Sequence, residues 1–479
     1  MSRSHLPSSL SGSKRAISPT TGALEEAAQR PRLSDPPAAV RPLLSPAQSC
    51  ATDTITLVFG FSKFDELVFA AQTCRAWLAA AAKGKPRGLH CRINEADQLA
   101  DLCAGSSPFK RHISRVVCCG SYFSLGLDQL AQLSELPGLT ELEVQLSAAA
   151  LHLLLEEEGG GALAAVTAAF PRRLQELTLL VSLDHWEDAC QLMVDALPAM
   201  KELEHLTMDR AFEEDGDLSA TLALAPLLQL PRLTQLSWGI GRLTESQLRV
   251  IKQISTLQHF DPGEGKMASA QLSALCRPPH RLQRLLQIGL WNTAVDAAAM
   301  VGLIGLPSLT AIEPRHLAPA AYAHLPRFPR LRSLSVSLDS GADSDQQAEH
   351  NALLVSALSA CSALTDLTLT SGECSESIGS RLLQAVRRLR TLSLHDCSVP
   401  SLRFLRRGQN LKELCLFNCK DVRPGHVIGV GAFAPQLERL SVEFCAALRL
   451  DEAEVRLLSP PGALGLPRLR EFDYRPTLI

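Results

Sequence analysis

Across 479 residues, 47 Lys and Arg stand against 50 Asp and Glu, a formal net charge of -3, which gives no electrostatic ground to expect nucleic acid as a partner. Apolar residues make up 46% of the chain and aromatic ones only 5%; the apolar runs are too short and interrupted to span a bilayer, and no amino-terminal signal peptide is read. Fourteen cysteines without such a signal are expected to be reduced thiols, in a cytoplasmic or nuclear protein.

In chain order, residues 1–48 come first, rich in Ser, Pro, Ala and Arg as at Ser8-Ser9-Leu10-Ser11-Gly12-Ser13. They show no sustained period and are expected to be a disordered tail. Residues 49–82 read as a small helical module. Ile55, Val58 and Phe59, then Leu67, Val68, Ala71, Cys74 and Leu78, have the spacing of two short amphipathic helices joined by Ser62-Lys63-Phe64-Asp65. So little apolar material does not fold alone and must pack either on a partner or on the open end of the longer region beyond residue 82. Residues 83–136 are expected to be a cap or linker.

From 137 to 479 the chain repeats itself. Leu389-x-x-Leu392-x-Leu394-x-x-Cys397, Leu411-x-x-Leu414-x-Leu416-x-x-Cys419 and Leu437-x-x-Leu440-x-Val442-x-x-Cys445 recur at intervals of 22 and 26 residues. Earlier copies begin at Leu139, Leu174, Leu203, Leu233, Leu331 and Leu364. Decayed ones begin at Leu257, Leu309 and Leu469, with one of uncertain register at Leu282 or Leu285. The x-L-x-L-x core has the period of a short strand with one buried face. The return segments have helical spacing: Ala348, Leu353, Leu354, Ala357 and Leu358 in one, and Ile378, Leu382, Leu383 and Val386 in another. Pro171, Pro231, Pro307, Pro329, Pro435 and Pro467 stand where a helix stops and the chain turns into the next strand.

This is the pattern of a leucine-rich repeat. It implies an α/β solenoid with parallel strands on the concave side and helices on the convex side, which presents one long surface rather than a deep catalytic pocket. Outward strand positions are then candidates for protein recognition: His395, Phe417, Arg439 and Glu443, with Phe417 as an aromatic anchor on an otherwise small, polar face. Arginine is sparse in these columns, Arg439 excepted. No enzyme pattern survives. Gly263-Glu264-Gly265-Lys266-Met267 lacks the first glycine and the hydroxyl residue of a phosphate loop. Cys397, Cys419 and Cys445 are expected to face the interior, and His395-Asp396-Cys397 alternates faces. No catalytic residue, metal site or cofactor is expected.

The segment from Cys50 also resembles an F-box. Asp53, Ile55, Val58, Phe59 and Phe61 match that family's acidic and apolar positions, Glu66-Leu67-Val68 its second-helix opening, and Cys74-Arg75-Ala76-Trp77 its closing Cys-Arg-x-Trp. Cys50-Ala51 replaces the usual Leu-Pro, and Ser62 replaces a Leu. The resemblance, to F-box proteins with leucine-rich repeats, implies a substrate-recognition subunit of a Skp-cullin-F-box ubiquitin ligase. Ile55, Val58, Phe59, Leu67, Val68 and Trp77 would then meet the Skp-type adaptor, and through it cullin, while the repeats hold a target protein. The alternative is a non-enzymatic leucine-rich scaffold or inhibitor-type binder whose helical segment only caps the array.

Overall fold

The computed structural model describes residues 55–58, 89–93, 96–103, 110, 113–118, 125–145, 161–181, 186–210, 222–263, 267–338, 344–460 and 466–476. Its strands are β1 (Ile55–Val58), β2 (Leu89–Ile93), β3 (Ile113–Cys118), β4 (Glu141–Gln145), β5 (Glu176–Val181), β6 (His205–Arg210), β7 (Gln235–Trp238) and β8 (His259–Asp261), followed by β9 (Gln287–Val295), β10 (Ala311–Leu317), β11 (Ser333–Ser337), β12 (Asp366–Glu373), β13 (Thr391–Ser398), β14 (Glu413–Phe417), β15 (Arg439–Glu443) and β16 (Glu471–Arg475). They form one 16-stranded sheet whose spatial order is the sequence order. Each strand pairs in parallel with its chain neighbours. Helices or 3-10 turns return the chain between most of the rungs. This is the leucine-rich-repeat solenoid that the period requires, because a strand with one apolar face is covered only by the next unit.

The second Leu of each repeat forms the spine. Leu142, Leu177, Leu206 and Leu236 are in register, then Phe260, Ile288, Ile312 and Leu334, then Leu367, Leu392, Leu414 and Leu440. All are buried. Before the strand, two successive N–H groups donate to one carbonyl of the preceding unit, as Glu438 and Arg439 do to Lys412 at 2.7 and 3.0 Å. That shared acceptor satisfies the turn backbone and locks the register. Among the described residues no helix is long and apolar enough to cross a membrane.

Three expectations are corrected and one open register is settled. Ile55–Val58 is a strand, not helix: it pairs with β2, Ile55 opposite Leu89 and Val58 opposite Arg92. Ile55, Thr56, Leu57 and Val58 are mostly β-branched, and a free sheet edge gives such residues hydrogen bonds that an isolated short helix lacks. Residues 83–136 are likewise no separate cap, since β2 and β3 are rungs of the same sheet and the array begins well before Leu139. The uncertain copy starts at Leu285, because Ile288 and not Leu285 pairs with Phe260 and Ile312. In the helix Ser344–Ser359 the buried stripe is rotated: Leu353 is 44% exposed and Ala348 faces solvent, while His350 and Asn351 are buried with Leu354, Ala357 and Leu358. His350 is held there by Tyr322, whose hydroxyl lies 2.8 Å from its Nε2. The stripe at Leu382, Leu383 and Val386 is buried as its spacing predicts. Phe59, Leu67, Val68 and Trp77 lie outside the described residues.

Candidate functional site

The outward residues next to the spine form a column, Thr178, Thr207, Ser237, Thr368, Ser393, Cys415 and Ser441, all half-buried. Ser335 in the same column is only 2% exposed. Two residues further on, the outward column reads Thr370, His395, Phe417, Glu443 and Arg475 across β12 to β16. Here the strand face becomes aromatic. The rings of His395 and Phe417 lie 5.4 Å apart, and Phe417 meets Phe444 edge-on at 5.5 Å and 76°.

Phe444 was not legible as a site residue because it stands just past β15, where alternation no longer applies. Its backbone is left-handed, φ 55, as it is at Asp396 (φ 56) and Asn418 (φ 49), the equivalent positions two rungs and one rung earlier. Asp and Asn tolerate that conformation, whereas a bulky residue there is strained by about 1–3 kcal/mol. The signal in the sequence was the odd residue out in Asp396-Cys397, Asn418-Cys419 and Phe444-Cys445. Packing on Phe417 returns about 0.5–1.5 kcal/mol, so the contact roughly offsets the strain and keeps a ring that is 37% exposed on the surface.

The left-handed residue swings the chain so that the following cysteine points inward. Cys397, Cys419 and Cys445 are buried, and each thiol reaches a carbonyl of the preceding rung: Leu369 at 3.5 Å, Leu394 at 3.2 Å and Leu416 at 3.7 Å. Burial pushes the Cys397 thiol up to about 12, so it is no nucleophile at neutral pH. Burial also lowers the His395 imidazole below its ordinary value. Asp396 instead accepts a hydrogen bond from Asn418 Nδ2 at 2.6 Å. The three residues therefore serve three different surroundings and make no catalytic trio.

Charges rim the aromatic group in balanced pairs. Arg439 is bound to Glu413, and Arg475 lies 3.5 Å from Glu443 and 3.2 Å from Asp473. Glu443 also accepts from the Ser441 hydroxyl at 2.9 Å. Of the four residues expected on this face, the structure thus joins His395 and Phe417 in one patch and sets Glu443 beside Phe417, while Arg439 stands at the far end of β15, opposite Glu413. An apolar centre inside a charge-compensated rim is the composition of a protein-binding hot spot.

No protein-family model matches the chain, and no curated protein matches it. Among solved structures, it is similar to the crystal structure of an internalin (inlF) from Listeria monocytogenes. The two are 12% identical with a TM-score of 0.32, over 79% of this chain and 94% of the internalin.

Proposed function

We propose that this chain is a non-enzymatic receptor that captures a target protein on its strand face and delivers it, through the segment at Glu66–Trp77, to a Skp-type adaptor and cullin. The observation that carries the capture half is the contact of half-buried Phe417 with Phe444, whose ring is kept exposed at the expense of backbone strain. The delivery half rests on the F-box resemblance, above all Cys74-Arg75-Ala76-Trp77. Since Ile55 and Val58 belong to a strand, the adaptor contact falls to Phe59, Leu67, Val68 and Trp77. The receptor itself makes and breaks no covalent bond. The test is binding of purified Skp-type adaptor to the full chain and to the variants Leu67→Asp and Trp77→Ala, with circular dichroism to check folding. Binding by the parent and loss in both folded variants supports the reading; a parent that leaves the adaptor free overturns it.

A second reading has its own observation. β1 extends the ladder over β2, so the segment after it also suits a cap that closes the sheet's amino end, making the chain a plain leucine-rich scaffold. Under that reading Trp77→Ala lowers the unfolding midpoint while the adaptor never binds.

A further inference from the structure

Arginine, sparse on the strand face, crowds the edge of the sheet where each turn leads into a strand. Arg281 and Arg284 precede β9, Arg330 and Arg332 precede β11, and Arg387 and Arg388 precede β13; all six are exposed. The turns leading into β9 through β14, residues 277–286, 304–310, 323–332, 359–365, 385–390 and 402–412, contain no Asp or Glu. Among the described residues, ion pairs on this edge occur at its flanks, Arg232 with Glu202 and Lys412 with Glu438. Helix carboxyl ends favour a nearby cation weakly and within the last turn only. That accounts for one cation per unit, not for paired arginines without counterions. In a chain of net charge -3, the segregation is a product of the stacking.

The edge also has a pocket. Ser255, Thr256, His280, Arg281, Gln283 and Arg284 line a volume of about 480 Å³. His280 lies at the pocket wall, and its Nδ1 is buried without a hydrogen-bond partner. An entering carboxylate would meet the guanidinium groups of Arg281 and Arg284. The aromatic rings nearest this edge, Phe328 and Phe404, are buried, and Phe433 is covered by the Arg406 guanidinium at 4.7 Å. Nucleic-acid bases thus lack the stacking platforms that single strands use, which favours a polypeptide. The chain's own first 54 residues do not fit, because Arg3, Lys14, Arg15, Arg30, Arg32 and Arg41 outnumber their acids.

We propose that the edge of the sheet from β9 to β14 binds an extended acidic segment of a partner polypeptide, with one partner carboxylate seated against His280, Arg281 and Arg284. From β9 to β13 the ladder advances about 19 Å, the reach of roughly six extended residues. The proposal does not rest on the adaptor reading and stands or falls without it.

The test is fluorescence anisotropy of a labelled octaglutamate peptide with the full-length chain at low and physiological salt. The parent is expected to bind, with affinity falling as salt rises. The double variants R281E/R284E and R330E/R332E are each expected to weaken binding by about tenfold or more, and the neutral pair R281Q/R284Q by less. Absence of binding at low salt, equal affinity in the charge-reversed variants with retained circular dichroism, or tighter binding of a single-stranded oligonucleotide of equal charge would each overturn the proposal. So would salt-dependent self-association in sedimentation velocity, which would assign the edge to a second copy.

Discussion

The strand face has two characters. At β13 to β15 it carries aromatic rings, while at β6 to β10 Gly239 and Gly289 stand on it and the carboxylates of Asp209 and Asp261 lie over them. A Cβ at Gly239 would sit 2.2 Å from Asp209 Oδ1, and one at Gly289 would sit 2.9 Å from Asp261 Cγ. Glu313, on the next strand, leans the same way and accepts from Gln287 Nε2 at 2.7 Å. Burial raises both Asp261 and Glu313, with the charges of Asp209 and of Asp261, respectively, adding to it. One backbone repeat thus supports an apolar patch that tolerates backbone strain at one place and a self-repelling acidic one at another. The repeat sets where side chains stand; the residues that interrupt it set what the face does.

The largest effect is expected where the central region is tightest. Gly263 has φ 65, and a Cβ there would lie 2.4 Å from Gly239 Cα. Gly263→Ala should lower stability by about 3 kcal/mol or more, since the left-handed strain and a backbone collision add; urea denaturation checks it, and a loss below about 1 kcal/mol would show that the central turn yields. Phe417→Ala, at the aromatic end, removes two ring contacts and should cost about 1–2 kcal/mol of stability. Recovery of co-purifying target should fall more than about tenfold, a loss out of proportion to stability that separates a hot spot from a packing residue. Phe444→Asn restores the residue type of the neighbouring rung. It should leave stability unchanged or raise it by up to about 1 kcal/mol while target capture drops; falling stability would mean that packing, not strain, dominates at this site.

The smallest effect concerns pH. A carboxyl group raised in the folded state contributes stability that is present below its unfolded value and lost as pH rises through its folded value. Glu313→Gln should therefore be more stable than the parent at pH 7, by less than about 1 kcal/mol for a half-exposed group. The advantage should shrink toward pH 4. Thermal melts across that range check the sign, and an advantage that grows on acidification would mean that the Gln287 bond outweighs burial.

The chain's periodicity by itself determined the rungs from Leu139 onward, the buried Leu spine and the inward cysteines, because strand alternation and helical turn are properties of neighbouring residues. It also singled out Phe417. Only stacking decided the rest. Ile55 to Val58 became a strand because β2 offered an open edge, and the ninth rung took its register from Phe260 and Ile312 rather than from its own ambiguous leucines. The helix at 344–359 turned its buried face toward Tyr322. Phe444 joined Phe417, and arginines from turns dozens of residues apart came together on one edge. Each of these depends on what lies one rung away, a distance of some 22 to 35 residues along the chain and about 5 Å through the sheet, which no local period encodes.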